Sequence, residues 1–175
     1  MEPLKPEQAT FLLQLYLLSL QREQPLTARV LAAVPPDRGD YRPAPESRAA
    51  LDLAWHIAMV EIRFLNAVAA GEFNYAGSER PAGVKTGAEV ARWYAESCER
   101  SLARLTPLGS EQLLKVLDFR GLFQFPAVVY LQFALNHTIH HRGQLSVYLR
   151  PMGAKVPSIY GESYDDAQAG KAAQP

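Results

Sequence analysis

The chain has 175 residues, of which 48% are hydrophobic, and its 18 basic residues balance 18 acidic ones. This length fits one domain, and the apolar fraction allows a sizeable core. A chain without net charge lacks the positive field typical of nucleic-acid binding, so we expect no nucleic-acid partner. The single Cys98 excludes an internal disulfide, and we see neither a signal peptide nor an uninterrupted membrane-spanning run. We therefore expect a soluble, cytoplasmic protein without a membrane partner.

The first helix is predicted over residues 7–34 from the helical spacing of its apolar residues. Pro25 lies inside it. Because proline removes a backbone donor and clashes with the preceding turn, we expect a kink or a brief break near Gln24. Pro35 and Pro36 end the helix, and the breaker-rich segment that follows predicts a loop.

The second helix is predicted from a cap at Ser47 to Ala70, where Gly71 can take the left-handed conformation that ends helices. Its inward face is marked by an apolar stripe in which one histidine participates: Leu53, His56, Val60, Phe64 and Ala67. Residues 72–85 form a connection long enough to run the length of a helix bundle. The second and third helices can therefore be parallel.

The third helix is predicted to begin at the capping box formed by Thr86 and Glu89 and to continue to Leu105. Its buried stripe contains Cys98, which favours a small packing residue over a nucleophile. Between residues 110 and 125 the pattern indicates a short turn and an extended piece that can form a hairpin.

The fourth long helix is predicted from Pro126, placed in its first turn, to Arg150, with Pro151 ending it. Residues 1–166 are therefore expected to form one all-α domain, a four-helix bundle. Residues 167–175 contain no apolar anchors, so we expect a mobile tail.

Three of the four histidines lie in the fourth helix, and two of them share a face. His137 and His141 are four residues apart, or about 40° around a helix, on the core-facing stripe. The remaining His56 also faces inward. Three neutral imidazoles can hold one ion and leave coordination positions open, as in catalytic metal sites. We predict that His56, His137 and His141 are metal ligands.

The main alternative is that each histidine is a hydrogen-bonded packing residue. Three buried imidazoles without an ion would leave several nitrogens in need of partners, which favours metal binding. His140 lies about 100° away from His141, so we place it in the outer shell or at the surface. Glu61 is about 140° around the helix from His56 and is a poor fourth ligand.

Three further residues of the fourth helix have open roles. Arg142 and Gln144 could contact a substrate, but solvent-facing helix positions explain them equally well. Gly143 lowers helix propensity, which indicates close packing against another helix, either within the chain or in a second subunit.

The spacing of His56 and His137-x-x-x-His141, followed by Arg142-Gly143-Gln144, resembles the DinB-like (DinB/YfiT) metalloenzyme family. Two flanking pieces are also similar to this family: Tyr41-Arg42-Pro43, and Leu149-Arg150-Pro151-Met152-Gly153 followed by Val156-Pro157. The resemblance implies an up-down-down-up bundle, three histidine ligands to a divalent ion that is often zinc or nickel, and frequent homodimers. It also implies relatives that are thiol S-transferases or isomerases using a low-molecular-weight thiol.

Three functions remain open at this stage. In the first, a bound metal lowers the pKa of a thiol cofactor that attacks a small electrophile. In the second, the same ligands activate water for hydrolysis. In the third, a stress-response protein senses or stores the ion without turnover. The sequence assigns no catalytic residue, substrate or thiol.

Overall fold

A computed structural model describes residues 3–172 of the chain. Four long helices dominate it: α1 (Pro6–Ala32), α2 (Ala50–Ala70), α3 (Gly87–Leu105) and α5 (Val129–Leu149). The smaller elements are helix α4 (Ser110–Leu114), strands β1 (Val116–Phe119) and β2 (Phe123–Pro126), a 3-10 helix (Arg150–Met152) and helix α6 (Tyr164–Ala172). The two strands pair antiparallel, so the predicted hairpin is confirmed.

The long helices pack in a ring in which α1 and α2 occupy opposite corners. Each of these two helices contacts both α3 and α5. The apolar stripes of all four meet in one continuous core, which is the reason that amphipathic helices associate.

Side-chain contacts between α2 and α3 advance in the same direction along both helices. Near the start of α2, the rings of Trp55 and Trp93 lie 4.5 Å apart. Further along, Ser101 donates a hydrogen bond of 3.0 Å to the side-chain oxygen of Asn66. Helices α2 and α3 are therefore parallel neighbours, as the long connection between them permits.

Contacts between α2 and α5 advance in opposite directions. His56 lies beside His141, with ring centroids 4.8 Å apart. Later in α2, Phe64 lies beside Phe133, which precedes the histidines of α5. The two helices are therefore antiparallel neighbours, and residues early in α2 face residues late in α5.

Helix α2 begins at Ala50, so the predicted cap at Ser47 is wrong. The first free amides of the helix are instead satisfied by the preceding loop. Ala50 and Leu51 donate to the carbonyl oxygens of Tyr41 and Gly39, each at 2.9 Å. Because these carbonyls belong to residues distant in sequence from the helix start, no local cap pattern could reveal them.

Two other predicted helix ends are confirmed. Gly71 ends α2 in the left-handed conformation, with φ of 75°. At the start of α3, the Glu89 amide donates to the Thr86 hydroxyl at 3.3 Å, and the Thr86 amide donates to the Glu89 carboxylate at 2.9 Å.

Helix α5 begins at Val129, so the prediction that Pro126 lies in its first turn is wrong. Pro126 is the last residue of β2 and pairs with Val116. The amide of Ala127 then donates to the carbonyl oxygen of Lys115 at 2.8 Å. The chain continues its pairing with the preceding segment before it turns into the helix.

Helix α1 continues through Pro25, so of the predicted kink or brief break near Gln24 the break is wrong. Leu20 and Thr27, on either side of the proline, are both buried in the same core. Their packing offsets the backbone hydrogen bond that proline cannot make.

The predicted tail is helical up to Ala172, because α6 occupies residues 164–172. The first turn of α6 is anchored: the Asp165 carboxylate accepts the Val156 amide at 2.8 Å and lies 3.2 Å from the Arg150 guanidinium. Residues 173–175 lie outside the described part of the chain.

Helix α2 is long and apolar enough to cross a membrane by length and composition. However, 61% of its most apolar 18-residue window is buried inside the fold. The core helix of a globular protein passes the same test, so this is weak evidence for a membrane span.

Arg142 is only 1% exposed, so the solvent-facing position predicted as one explanation for it is wrong. Its guanidinium lies 2.7 Å from the Glu23 carboxylate and donates to the hydroxyls of Thr27 and Tyr160 at 3.1 and 2.7 Å. A step of about 100° from His141 turns this side chain towards α1. Arg142 therefore joins α5 to α1 and to the C-terminal segment.

Candidate metal centre

The structure brings together the three histidines that the sequence selected. One nitrogen from each of His56, His137 and His141 lies within 4.8 Å of the other two. The Nε2 atoms of His56 and His137 are 3.0 Å apart. The helical spacing of four accounts for the pair on α5, and the antiparallel packing of α2 on α5 adds His56.

This spacing fits one divalent ion. Two imidazole nitrogens bound at about 2.0–2.1 Å in tetrahedral geometry lie roughly 3.3 Å apart, close to the 3.0 Å between His56 and His137. The widest pair of ligand atoms, at up to 4.8 Å, needs a small ring movement to close in. All three side chains are half-buried at the edge of the core.

The Nδ1 atoms of His137 and His141 have different surroundings. Nδ1 of His141 lies 2.9 Å from the side-chain oxygen of Gln144, which leaves its Nε2 lone pair for a ligand role. Nδ1 of His137 is buried and has no hydrogen-bond partner among the residues that the structure describes. Gln144 therefore orients a histidine ring, a role that its exposed helix position alone did not indicate.

The surroundings keep two of the imidazoles neutral. Burial, and then the charges of Arg48, His141 and Arg63, lower the pKa of His56 to about 4. Burial, followed chiefly by repulsion from His141 and His56, lowers the pKa of His137 to about 3. A metal ion requires the deprotonated nitrogen, so both rings are ready ligands at neutral pH.

Neither His140 nor Glu61 joins the cluster. His140 is exposed, with its ring centroid 4.8 Å from that of His141, so its predicted place at the surface is confirmed. Glu61 faces α3 and α5 on the inner side of α2, where it is almost fully buried. Within the described residues, the group of possible ligands contains the three histidines alone.

Glu61 is the centre of a buried polar cluster next to the histidines. Its carboxyl group accepts hydrogen bonds from Thr138 and, at 3.0 Å, from Tyr94, and the Cys98 sulfur is 3.7 Å away. Burial raises the pKa of Glu61. A glutamate inside the apolar stretch from Ile57 to Ile62 is the sequence signal that points to this cluster.

Cys98 is buried, as predicted, and is unsuited to nucleophilic attack. Burial, and then the charge of Glu61, raise the pKa of its thiol far above the usual range. The reactive thiolate is therefore inaccessible at neutral pH.

A cavity of about 540 Å³ opens beside His56. Its walls include Arg48, Asp52, Trp55 and Met59. A second cavity, of about 410 Å³, shares Met59 and extends along α2 beneath the connection between α2 and α3. The histidine cluster thus adjoins space for a small molecule, the setting expected of a binding site.

Comparison with known proteins identifies one family. Residues 7–174 match the model of the DinB family. The uncharacterized protein YjoA of Bacillus subtilis (strain 168) is 29% identical over 130 residues, which cover 73% of this chain and 82% of YjoA. The uncharacterized protein YrdA of the same organism is 42% identical over 43 residues, or 25% of this chain and 26% of YrdA.

Two crystal structures have a similar fold. The DinB-like protein YjoA of Bacillus subtilis superposes with a TM-score of 0.69 at 26% identity, covering 84% of this chain and 99% of that one. A DinB-like protein of Bacillus cereus ATCC 10987 gives a TM-score of 0.70 at 24% identity, covering 83% and 95%.

The lowered pKa values predict how the metal-free protein responds to acid. Above the unfolded-state pKa of about 6.5, these two histidines are neutral in both states. Below it, the unfolded chain takes up protons that folded His56 and His137 do not, so the free energy of unfolding should fall as the pH drops towards about 4. NMR titration of the imidazole resonances after chelation measures both pKa values. Titration of both rings near pH 6.5 would contradict the described environment.

Proposed function

Because this chain belongs to the DinB family, we propose that it binds one divalent metal ion through His56, His137 and His141. The observation that carries the proposal is the convergence of three imidazole nitrogens within 4.8 Å beside an open cavity. Three protein ligands leave a position for a small molecule, as in catalytic zinc sites. Imidazole suits both zinc and nickel, so we propose one of these two ions.

We infer that the four long helices run up-down-down-up. The parallel contacts of α2 with α3 and the antiparallel contacts of α2 with α5 support this order. Contacts between α1 and α5 give the relative direction of this third helix pair. Tyr16 donates to Gln132 at 3.2 Å, and Glu23, later in α1, pairs with Arg142, later in α5. These contacts advance together, as expected for parallel helices.

We further propose that the site serves thiol S-transfer to a small electrophile. A divalent ion held by these histidines would lower the pKa of a thiol or water molecule and so supply a nucleophile at neutral pH. The buried Cys98 cannot act as that nucleophile, so the thiol must enter as a small molecule. Its sulfur forms the new bond to carbon as the leaving group departs with its electron pair, and the thiol proton passes to solvent.

The chain's own residues would prepare this reaction. The neutral rings of His56 and His137 present lone pairs without first losing a proton. Gln144 orients His141. The indole of Trp55 and the side chain of Met59 supply an apolar surface beside the site.

The first prediction of this proposal concerns metal content. Wild-type protein should bind one zinc or nickel ion per chain, whereas the His137→Ala, His141→Ala double variant should retain none. Loss of one ligand should weaken affinity by more than about 100-fold, since loss of an outer-shell partner alone costs up to that factor. Elemental analysis after dialysis measures the stoichiometry.

His140→Ala is the matched control, because it removes an exposed imidazole from the same helix. It should keep one ion per chain. A double variant that still carries stoichiometric metal would refute the ligand assignment.

The second prediction concerns the reaction. Metal-loaded protein should convert an electrophilic aryl halide only when a low-molecular-weight thiol is present, and chelator should abolish turnover. The Cys98→Ala variant should retain turnover, because the reacting thiol is external. Hydrolysis of ester or amide substrates without a thiol would instead establish a hydrolase. Silence in both assays with fully loaded protein would favour a non-catalytic metal-binding protein.

We also propose that the chain forms a homodimer through the exposed face of α1 and α5. These adjacent helices present apolar side chains to solvent, notably Leu18, which is 67% exposed, and Val147, which is 73% exposed. Between the exposed Ile139 and Val147, Gly143 faces open space: an added Cβ atom would meet no atom of residues 3–172 within 4 Å. That part of the chain thus lacks the close neighbour predicted for Gly143, and a second copy would supply it. Exposed apolar patches of this kind mark protein interfaces.

The dimer has a direct test. Light scattering of the wild type should give about twice the monomer mass of 19.4 kDa. Combining Leu18→Glu with Val147→Glu should yield monomers, because burying two carboxylates per chain is unfavourable. Leu122→Glu, on the hairpin, is the control and should stay dimeric. A wild type that is monomeric at every concentration would refute the proposal.

A further inference from the structure

The cavity beside His56 has a fixed wall at Trp55. Trp55 is 7% exposed, and its indole nitrogen donates to the carbonyl oxygen of Ser78 at 2.9 Å. This hydrogen bond ties the connection between α2 and α3 to the start of α2. The cavity is therefore a formed feature of the fold, with one side occupied by a candidate metal ligand.

The charged residues around this cavity have an excess of one positive charge. Three arginines line it, Arg42, Arg48 and Arg80, together with two acids, Asp52 and Glu79. Lining side chains with a positive balance favour an anionic ligand.

The three arginines differ in their availability. Arg80 lies 3.5 Å from the Asp52 carboxylate and donates to a backbone carbonyl at 2.6 Å. Arg42 donates to the carbonyl oxygen of Ser47. Arg48 is exposed and, within residues 3–172, forms neither an ion pair nor a side-chain hydrogen bond in this structure. Arg48 is therefore the guanidinium free to receive an anion.

From this arrangement we propose that the cavity binds the carboxylate of a small-molecule substrate, with Arg48 as its counter-ion beside His56. A guanidinium presents paired donors that match a carboxylate. Arg48 and His56 line the same cavity, which places the guanidinium close to the histidine cluster. A phosphate dianion fits less well, because the acidic side chains of Asp52 and Glu79 line the same cavity and repel a doubly charged ligand more strongly than a singly charged one. This inference rests on the proposed function only in treating the ligand as a substrate.

The test uses two short thiols that differ in charge, 3-mercaptopropionate and 2-mercaptoethanol. Tryptophan fluorescence of the full chain reports binding, since Trp55 lines the cavity. The zinc-loaded wild type should bind 3-mercaptopropionate about tenfold more tightly than 2-mercaptoethanol, the gain expected from a charge-assisted contact. Arg48→Gln should remove that preference by weakening only the carboxylate-bearing thiol.

Arg22→Gln is the matched control, because it removes an equal charge from an exposed position on α1. It should leave both affinities unchanged. Equal binding of the two thiols by the wild type, or a preference that survives Arg48→Gln, would overturn the inference. Tighter binding of inorganic phosphate than of propionate would also overturn it, because the ligand class would then be wrong.

Repeating the titrations with propionate after chelation separates this inference from the metal proposal. An Arg48-dependent affinity for propionate in protein that never binds zinc would uphold the carboxylate site while the metal assignment fails. Zinc binding by the three histidines without any Arg48-dependent affinity for propionate would uphold the metal assignment while the carboxylate site fails.

Discussion

The antiparallel contact between α2 and α5 is the constraint on which the candidate site depends. Three layers of side-chain contacts determine how α2 is aligned with α5. Phe64 and Phe133 meet in the aromatic part of the core, Glu61 and Thr138 form a buried hydrogen bond above them, and the histidines meet at the open end. A slip of one helix turn, about 5.4 Å, would separate all three layers together. The position of His56 is thus fixed by packing deeper in the bundle.

The layers differ in what they require from their surroundings. Aromatic packing is favourable by itself, and the Glu61 carboxyl group has hydrogen-bond donors from α3 and α5. The histidine layer is only partly satisfied internally. The facing Nε2 atoms of His56 and His137, 3.0 Å apart, can share one proton in a hydrogen bond, but Nδ1 of His137 is buried without a partner among residues 3–172. A cation in place of that proton would bind the lone pairs of both Nε2 atoms. Its loss should loosen the end of the α2–α5 contact while the apolar layers preserve the fold.

The sequence predicted the long helices and the histidine cluster because both depend on local patterns. Apolar periodicity and glycine or proline breakers locate the helices, and a spacing of four places His137 and His141 on one face. The errors have a common cause. The cap expected at Ser47 and the helix start expected at Pro126 are wrong because carbonyl oxygens from earlier segments accept hydrogen bonds from the amides of Ala50, Leu51 and Ala127. Arg142 is buried because Glu23, over a hundred residues earlier, neutralises it. No local pattern distinguishes Arg48 either, because it stands out only by the hydrogen bonds and the ion pair that occupy Arg42 and Arg80.

The central claim is that three imidazoles, one from α2 and two from α5, bind one metal ion. X-ray absorption spectroscopy of the zinc- or nickel-loaded protein tests it most directly, by comparing the wild type with His56→Ala. We expect the wild-type spectrum to show three imidazole nitrogens, at about 2.0–2.1 Å for zinc. The variant, if it retains the ion at all, should show two. A wild-type spectrum without imidazole scattering, or one that His56→Ala leaves unchanged, would contradict the claim.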